Sequence, residues 1–268
     1  MRELEREPSR RARRSAGDAA LPRLAIVGAG RVGTALARAL RFGGADVALH
    51  GRDLSPLSAA RPAAVLLCVP DAAIPEAAAA VAEALPGLAF IGHTSGASGL
   101  DALACDGRAA AFSLHPLQTI PDGEADLTGA PSAIAGATPA AEALARRLAE
   151  AAGMRPFTVP DERRPAYHAA AVMASNFLVA LEESASELLA SLGVGDAREL
   201  LASLVLRSAA NWAERGERAL TGPIARGDEA TVERHRAALA AEAPALLPLY
   251  DALAERTRAL AGRIGAGA

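Results

Sequence analysis

The sequence predicts an α/β fold, a mostly parallel, doubly wound sheet of the Rossmann type, followed by an all-α domain. Three observations carry that prediction. Short apolar runs of strand length alternate with helical periodicity from Leu24 to Val159. From Arg163 onward the alternation stops, and Leu and Ala recur at three- and four-residue intervals to the end. Between the first strand and the first helix stands the glycine spacing Gly28-Ala29-Gly30-Arg31-Val32-Gly33. The division expected is a disordered Arg-rich tail over residues 1–21, a dinucleotide-binding domain over 22–160 and a helical domain over 161–268.

The glycine spacing has the context that its chemistry requires. Leu24 to Val27 precede it as a buried strand, and Val32, Leu36, Ala39 and Leu40 follow at helical intervals. Gly28 permits the tight turn, Gly30 lets a pyrophosphate approach the backbone, and Gly33 lets the helix lie close on the strand. The free N–H groups and the dipole at the helix N-terminus favour the phosphate charge.

Composition narrows the function further. A chain of 268 residues that is 51% apolar can build a sizeable core without disulfides. Cys68 and Cys105 stand alone, with no Cys/His cluster to suggest a metal, and they fit a reducing compartment. A net charge of −3 gives no electrostatic ground for nucleic acid or an anionic membrane, so the expected partner is a small molecule. All 28 basic residues are Arg, and the absence of Lys excludes Schiff-base chemistry and a lysine acid. The six Arg of the tail stand against four acids with no apolar periodicity to bury, and Arg13-Arg14 lacks the apolar stretch of a twin-arginine signal. The expected location is the cytoplasm.

In chain order, the first helix stops near Gly43-Gly44, and Asp46 to His50 forms the second strand. The place just past that strand selects the cofactor: an acid there binds the ribose hydroxyls of NAD, and here Gly51 and Arg52 occupy it. NADP is therefore favoured, with Asp53 the residue that keeps NAD possible. Pro56 and Pro62 leave too little room for a full second crossover helix. Strands follow at Ala64–Val69, at Leu88–His93, at Ala109–Leu114 and around Ser132–Ala135, then a helix over 139–152 and a last strand around Arg155–Val159. Asp71 is placed to cap the helix after the third strand. Beyond Arg163, Tyr167–Leu192 reads as one long helix, apolar enough at its start to be buried yet too short there for a membrane span. Covering that surface within one small helical domain is difficult, which predicts a homodimer through it. Ala197–Arg215, Asp228–Ala243 and Pro244–Arg263 follow as helices, with residues 220–228 as a loop.

The cofactor-binding candidates are Gly28, Gly30, Arg31, Val32 and Gly33 in the turn, Arg52 after the second strand, and Val69 and Pro70 after the third. The catalytic candidates are His115, His168, Asn176 and Ser95. His115, where the fifth strand exits, can orient or protonate a substrate carbonyl, or be bonded to loop backbone. Ser95 can meet a substrate or the nicotinamide amide, or satisfy its own turn. His168, Val172 and Asn176, spaced by four, share a helix face, so the imidazole and amide face a substrate or the loop at 221–228. His50 and His235 read as surface residues.

Taken together, Gly28–Gly33, Val69-Pro70-Asp71, Phe112-Ser113-Leu114-His115-Pro116-Leu117-Gln118, the run Tyr167–Asn176 and Leu220–Asp228 resemble the bacterial Rossmann-like proteins with a DUF2520 domain. The likeness covers residues 22–262. It implies a fold similar to those of pyrroline-5-carboxylate reductase, F420-dependent NADP oxidoreductase and the 6-phosphogluconate and β-hydroxyacid dehydrogenases, whose helical domains dimerise. The hydroxyacid dehydrogenases carry a Lys four residues before an Asn, and here Asn176 matches while Val172 stands at the Lys position. His168 or His115 would replace it. The function expected is an NADP(H)-dependent oxidoreductase acting on a small carbonyl, imine or hydroxy substrate. The alternative is a catalytically inactive dinucleotide-binding sensor or scaffold.

Overall fold

The computed structural model describes residues 20–104 and 107–266. The expectations for the first nineteen residues of the tail and for Cys105 lie outside the described residues. Leu21, assigned to the tail from sequence, packs against the core.

The chain divides into two compact units, Met1–Val172 and Met173–Ala268. In the first, seven strands form one sheet: β1 (Leu24–Val27), β2 (Val47–His50), β3 (Ala64–Leu67), β4 (Phe90–His93), β5 (Ala110–Pro116), β6 (Pro131–Gly136) and β7 (Arg155–Thr158). Their order is β2-β1-β3-β4-β5-β6-β7. Every neighbouring pair is parallel except β5 and β6, which run antiparallel.

Strand alternation sorts the core into two layers. Leu24, Ile26, Leu66, Phe112 and Leu114 face Leu36 and Leu40 of α1 (Arg31–Phe42) and Leu144 and Leu148 of α4 (Pro139–Ala151). Ala25, Val27, Val65 and Leu67 face the other way, onto Leu57 of α2 (Leu57–Ala60) and Ile74, Ala78 and Val81 of α3 (Ile74–Ala84). Each fully buried Leu or Ile contributes roughly 1.5–3 kcal/mol relative to leaving it in water. As the two prolines require, the second crossover is degenerate: α2 is a single turn.

The unit boundary falls at Val172, later than the Pro160 expected from sequence, because the next helix, α5 (Arg164–Ala174), begins inside the sheet unit. Arg164 is 0% exposed there. The long helix expected over Tyr167–Leu192 is two helices. α5 ends at Ala174, Ser175 leaves the helical region at φ −127°, ψ −71°, and α6 (Asn176–Ser191) restarts. Ser175 Oγ donates to Asn176 Oδ1 at 3.0 Å. The predicted helix face joining His168, Val172 and Asn176 therefore does not exist.

In the second unit α6 is followed by α7 (Ala197–Arg215), α8 (Glu229–Glu242) and α9 (Leu247–Ala266). Asp228 caps α8 by accepting from Thr231 N at 3.0 Å. The start of α6 is not buried, contrary to expectation. In the single chain Met173, Phe177 and Val179 are 66%, 61% and 63% exposed. No helix among the described residues is long and apolar enough to cross a membrane.

Candidate functional site

The dinucleotide turn has the close packing that its glycines imply. Gly28 sits at φ +110°, and a Cβ there would stand 2.2 Å from Cys68 O. A Cβ on Gly33 would stand 1.9 Å from Gly28 O, so strand and helix touch through backbone alone. At Gly30, by contrast, a Cβ would meet nothing within 4 Å. Gly30 is the N-cap of α1 and no side chain caps that helix. The first-turn N–H groups thus face open space, which fits a pyrophosphate. Arg31 is exposed and Val32 half-buried beside it.

Past β2, Arg52 is exposed and makes no ion pair or hydrogen bond among the described residues. The Asp53 carboxylate accepts from Ser55 N at 2.9 Å, and that bond holds it below its usual range. Asp53 forms no ion pair with Arg52 among the described residues. His50 is half-buried with Nε2 sealed and unpartnered, so it is not the surface residue expected. His235 is exposed as expected and its Nδ1 lies 3.0 Å from Tyr250 Oη. After β3, Val69 is half-buried and Pro70 exposed.

A polar cluster forms beyond β3, β4 and β5, the end of a parallel sheet where ligands bind. Asp71 does not cap α3. It accepts from Ser95 Oγ at 2.7 Å, while Ser95 Oγ accepts from Ala97 N at 3.2 Å and Ser98 N at 2.9 Å. The buried Ser95 hydroxyl is thus committed to its own turn and to Asp71, rather than to a ligand. His115 lies within β5, not beyond its exit, because pairing with β6 extends the strand to Pro116. His115 Nδ1 is 2.7 Å from Tyr167 Oη. Its ring meets those of Tyr167 and His168 edge to face, at 5.6 Å and 6.1 Å. Gly96 lies beneath: a Cβ there would come within 2.5 Å of His168 Cδ2 and 2.9 Å of His115 Nε2. The structure thus brings His115, His168 and the Ser95 turn together. Asn176 belongs to the second unit, at the exposed start of α6.

Sequence reasoning missed Arg164 and Tyr167. Arg164 Nε donates to Ser98 O at 2.9 Å, Nη1 to Ser113 Oγ at 2.9 Å and Nη2 to Ser95 O. No carboxylate forms an ion pair with it among the described residues. Burial, then this guanidinium, lowers the proton affinity of His115 to a pKa of about 4, with His168 and His93 adding to the effect and Asp71 opposing it. Burial likewise lowers that of His93, which is 0% exposed. Burial pushes the Tyr167 hydroxyl up to about 12. Among the described residues no group of three or more His, Cys, Asp and Glu side chains is placed to hold a metal ion.

A pH dependence follows. Between about pH 6.5 and 4 the folded chain binds fewer protons at His115 than the unfolded chain does. Stability is therefore full above that window and falls as pH drops through it, by about 3 kcal/mol from His115 alone. Urea unfolding at pH 7 and pH 5 should register the loss, and His115→Asn should reduce it.

Residues 130–257 match the model of a family described as a domain of unknown function, DUF2520. The DUF2520 match belongs to those residues, and the fold of the chain is Rossmann-like. A solved protein of Thermotoga maritima is 26% identical, with 90% of this chain and 98% of that one covered and a TM-score of 0.72. A Bacteroides fragilis protein described as a "putative NADP oxidoreductase" is 23% identical, covering 88% and 98% at a TM-score of 0.73. The reductive aminase of Aspergillus terreus, solved with NADPH and ethyl-5-oxohexanoate, is 21% identical, covering 88% and 93% at a TM-score of 0.60. These last two likenesses show a shared fold. Comparison with curated protein sequences gives no match.

Proposed function

We propose that this chain is an NADP(H)-dependent oxidoreductase acting on a small carbonyl, imine or hydroxy substrate. The observation that carries the reading is the Gly28–Gly33 turn, open at Gly30, with Arg52 unpaired past β2 and the neighbouring acid, Asp53, bonded to its own loop. The solved proteins of similar fold whose names include NADP or NADPH support it.

In this reading the first-turn N–H groups of α1 hold the pyrophosphate, Arg52 pairs with the 2′-phosphate, and Val69 and Pro70 border the site after β3. The cofactor supplies or accepts the hydride. The residues beyond β4 and β5 orient the reacting group: Arg164 fixes the Ser95–Ser98 turn, and that turn holds His115 and His168 in place through Gly96. Two observations favour the second reading, a cofactor-binding sensor without catalysis: Ser95 and Asp71 bond to each other, and the chain has no Lys.

NADPH should bind more tightly than NADH, and Arg52→Ala should remove most of the difference, since a paired phosphate is a strong charge-assisted contact. Calorimetric titration of both nucleotides measures it. Equal affinities in the unsubstituted protein would mean that Arg52 is merely solvated.

The apolar start of α6 is proposed as the centre of a homodimer. Met173 at the end of α5, Phe177 and Val179 of α6, and Leu200 and Leu204 of α7 are each more than half exposed, and large apolar side chains open in such number mark an interaction surface. Light scattering at micromolar concentration should give twice the chain mass of 27.2 kDa. A monomer there would refute the proposal.

A further inference from the structure

The pair formed by His115 and Tyr167 carries an inference that rests on the oxidoreductase reading and deepens it. We propose that Tyr167, not His115, gives the proton to the substrate's oxygen or nitrogen, and that His115 is the positioning residue that replenishes it.

The geometry supplies the argument. His115 Nδ1 and Tyr167 Oη are 2.7 Å apart, so one of them donates to the other. A neutral imidazole carries one N–H. With that hydrogen on Nδ1, His115 donates to the phenol oxygen and the hydroxyl hydrogen is left to point elsewhere. Among the described residues His115 Nε2 has no hydrogen-bond partner and is not one of the sealed, unpartnered nitrogens, such as His50 Nε2 and His93 Nδ1, so water can reach it. The Tyr167 ring is held edge to face by His115 at 5.6 Å and by Phe157 at 6.0 Å, which fixes the direction of its hydroxyl.

Charge agrees with that order. Burial and the nearby Arg164 keep His115 neutral down to about pH 4, so no imidazolium is at hand near neutrality to act as the acid. Tyr167 keeps its proton at rest, and Arg164 favours the phenolate that forms when it leaves. The step balances. Hydride from the reduced nicotinamide cofactor forms a C–H bond at the substrate carbon, and the electron pair of the C=O or C=N bond takes the Tyr167 hydroxyl proton. The phenolate then takes the Nδ1 proton of His115 while Nε2 takes from the solvent the one proton that the reduction consumes, and exchange through solvent returns the hydrogen from Nε2 to Nδ1 before the next turnover. The cofactor is oxidised and the substrate reduced.

The deciding measurement needs no substrate. Two-bond ¹H–¹⁵N spectra of the histidines in the full chain, with His115→Asn to assign the signal, report which nitrogen carries the hydrogen. Hydrogen on Nδ1 is the expected result. Hydrogen on Nε2 would commit the Tyr167 hydroxyl to His115 and overturn the proposal.

Turnover supplies a second readout, using NADPH with a panel of ketones, 2-oxo acids and cyclic imines. On any member that the unsubstituted protein reduces, Tyr167→Phe should lower kcat by about 10²–10⁴-fold with NADPH affinity unchanged. Full activity in Tyr167→Phe would defeat this inference while leaving the oxidoreductase reading intact. Failure of the unsubstituted protein to bind NADPH would defeat that reading instead.

Discussion

NADPH affinity is expected to fall about 10–100-fold in Gly30→Ala, a loss of roughly 1.4–2.8 kcal/mol of binding, while the unfolding midpoint stays unchanged. A Cβ at Gly30 meets nothing within 4 Å, so the free protein should accept the methyl group, and only a ligand pressed against the backbone would collide with it. Gly33→Ala should behave in the opposite way. Its Cβ would stand 1.9 Å from Gly28 O, so strand and helix must separate, at a cost of about 3 kcal/mol or more. Calorimetric titration with NADPH and urea unfolding on both variants separate the two effects. Unchanged affinity in Gly30→Ala would mean that no pyrophosphate approaches that position.

Arg164→Met is expected to destabilise the sheet unit by about 3–6 kcal/mol, since Ser95 O, Ser98 O and Ser113 Oγ would each lose a buried donor. Each unsatisfied group costs roughly 1–3 kcal/mol. Removing the buried charge returns part of that cost, because a guanidinium without a contacting carboxylate is itself expensive to bury. The neighbouring Arg163 is exposed, and Arg163→Met should stay within about 0.5 kcal/mol of the unsubstituted protein. Urea unfolding of the full chain compares them. Equal effects at the two positions would show that the hydrogen bonds of Arg164 contribute little.

That contrast marks the limit of what the residue pattern reveals. The glycine turn, the strand alternation and the degenerate second crossover are legible because each is a local matter of spacing, sterics or proline. Arg163 and Arg164 are identical in sequence, and only the closing of the Ser95–Ser98 turn over one of them distinguishes the pair. The break at Ser175 is equally hidden, since the apolar periodicity runs through it. Residue type and place allow Ser95 to be a ligand contact or a turn serine and Asp71 to be a cap, and the turn bonds of Ser95 agree with the second of its two readings. Their bond to each other joins residues from two different strand ends. The role of Tyr167 depends on its distance from a histidine on β5, which no spacing along the chain encodes.

Cys68 leaves β3 directly under the dinucleotide turn: its carbonyl lies against Gly28, and its Cβ would stand 3.2 Å from a side chain at Gly33. Burial pushes its thiol up to about 12, so in the closed protein there is almost no thiolate to react. Cys68 is half-buried, so alkylation at this sulfur is expected to be slow and to speed up when the turn lifts away from the strand. The rate of labelling measures how often that happens, as amide exchange does for a buried N–H. Nature has in effect placed a chemical clock beneath the phosphate cradle, and an occupant of the cradle would slow it.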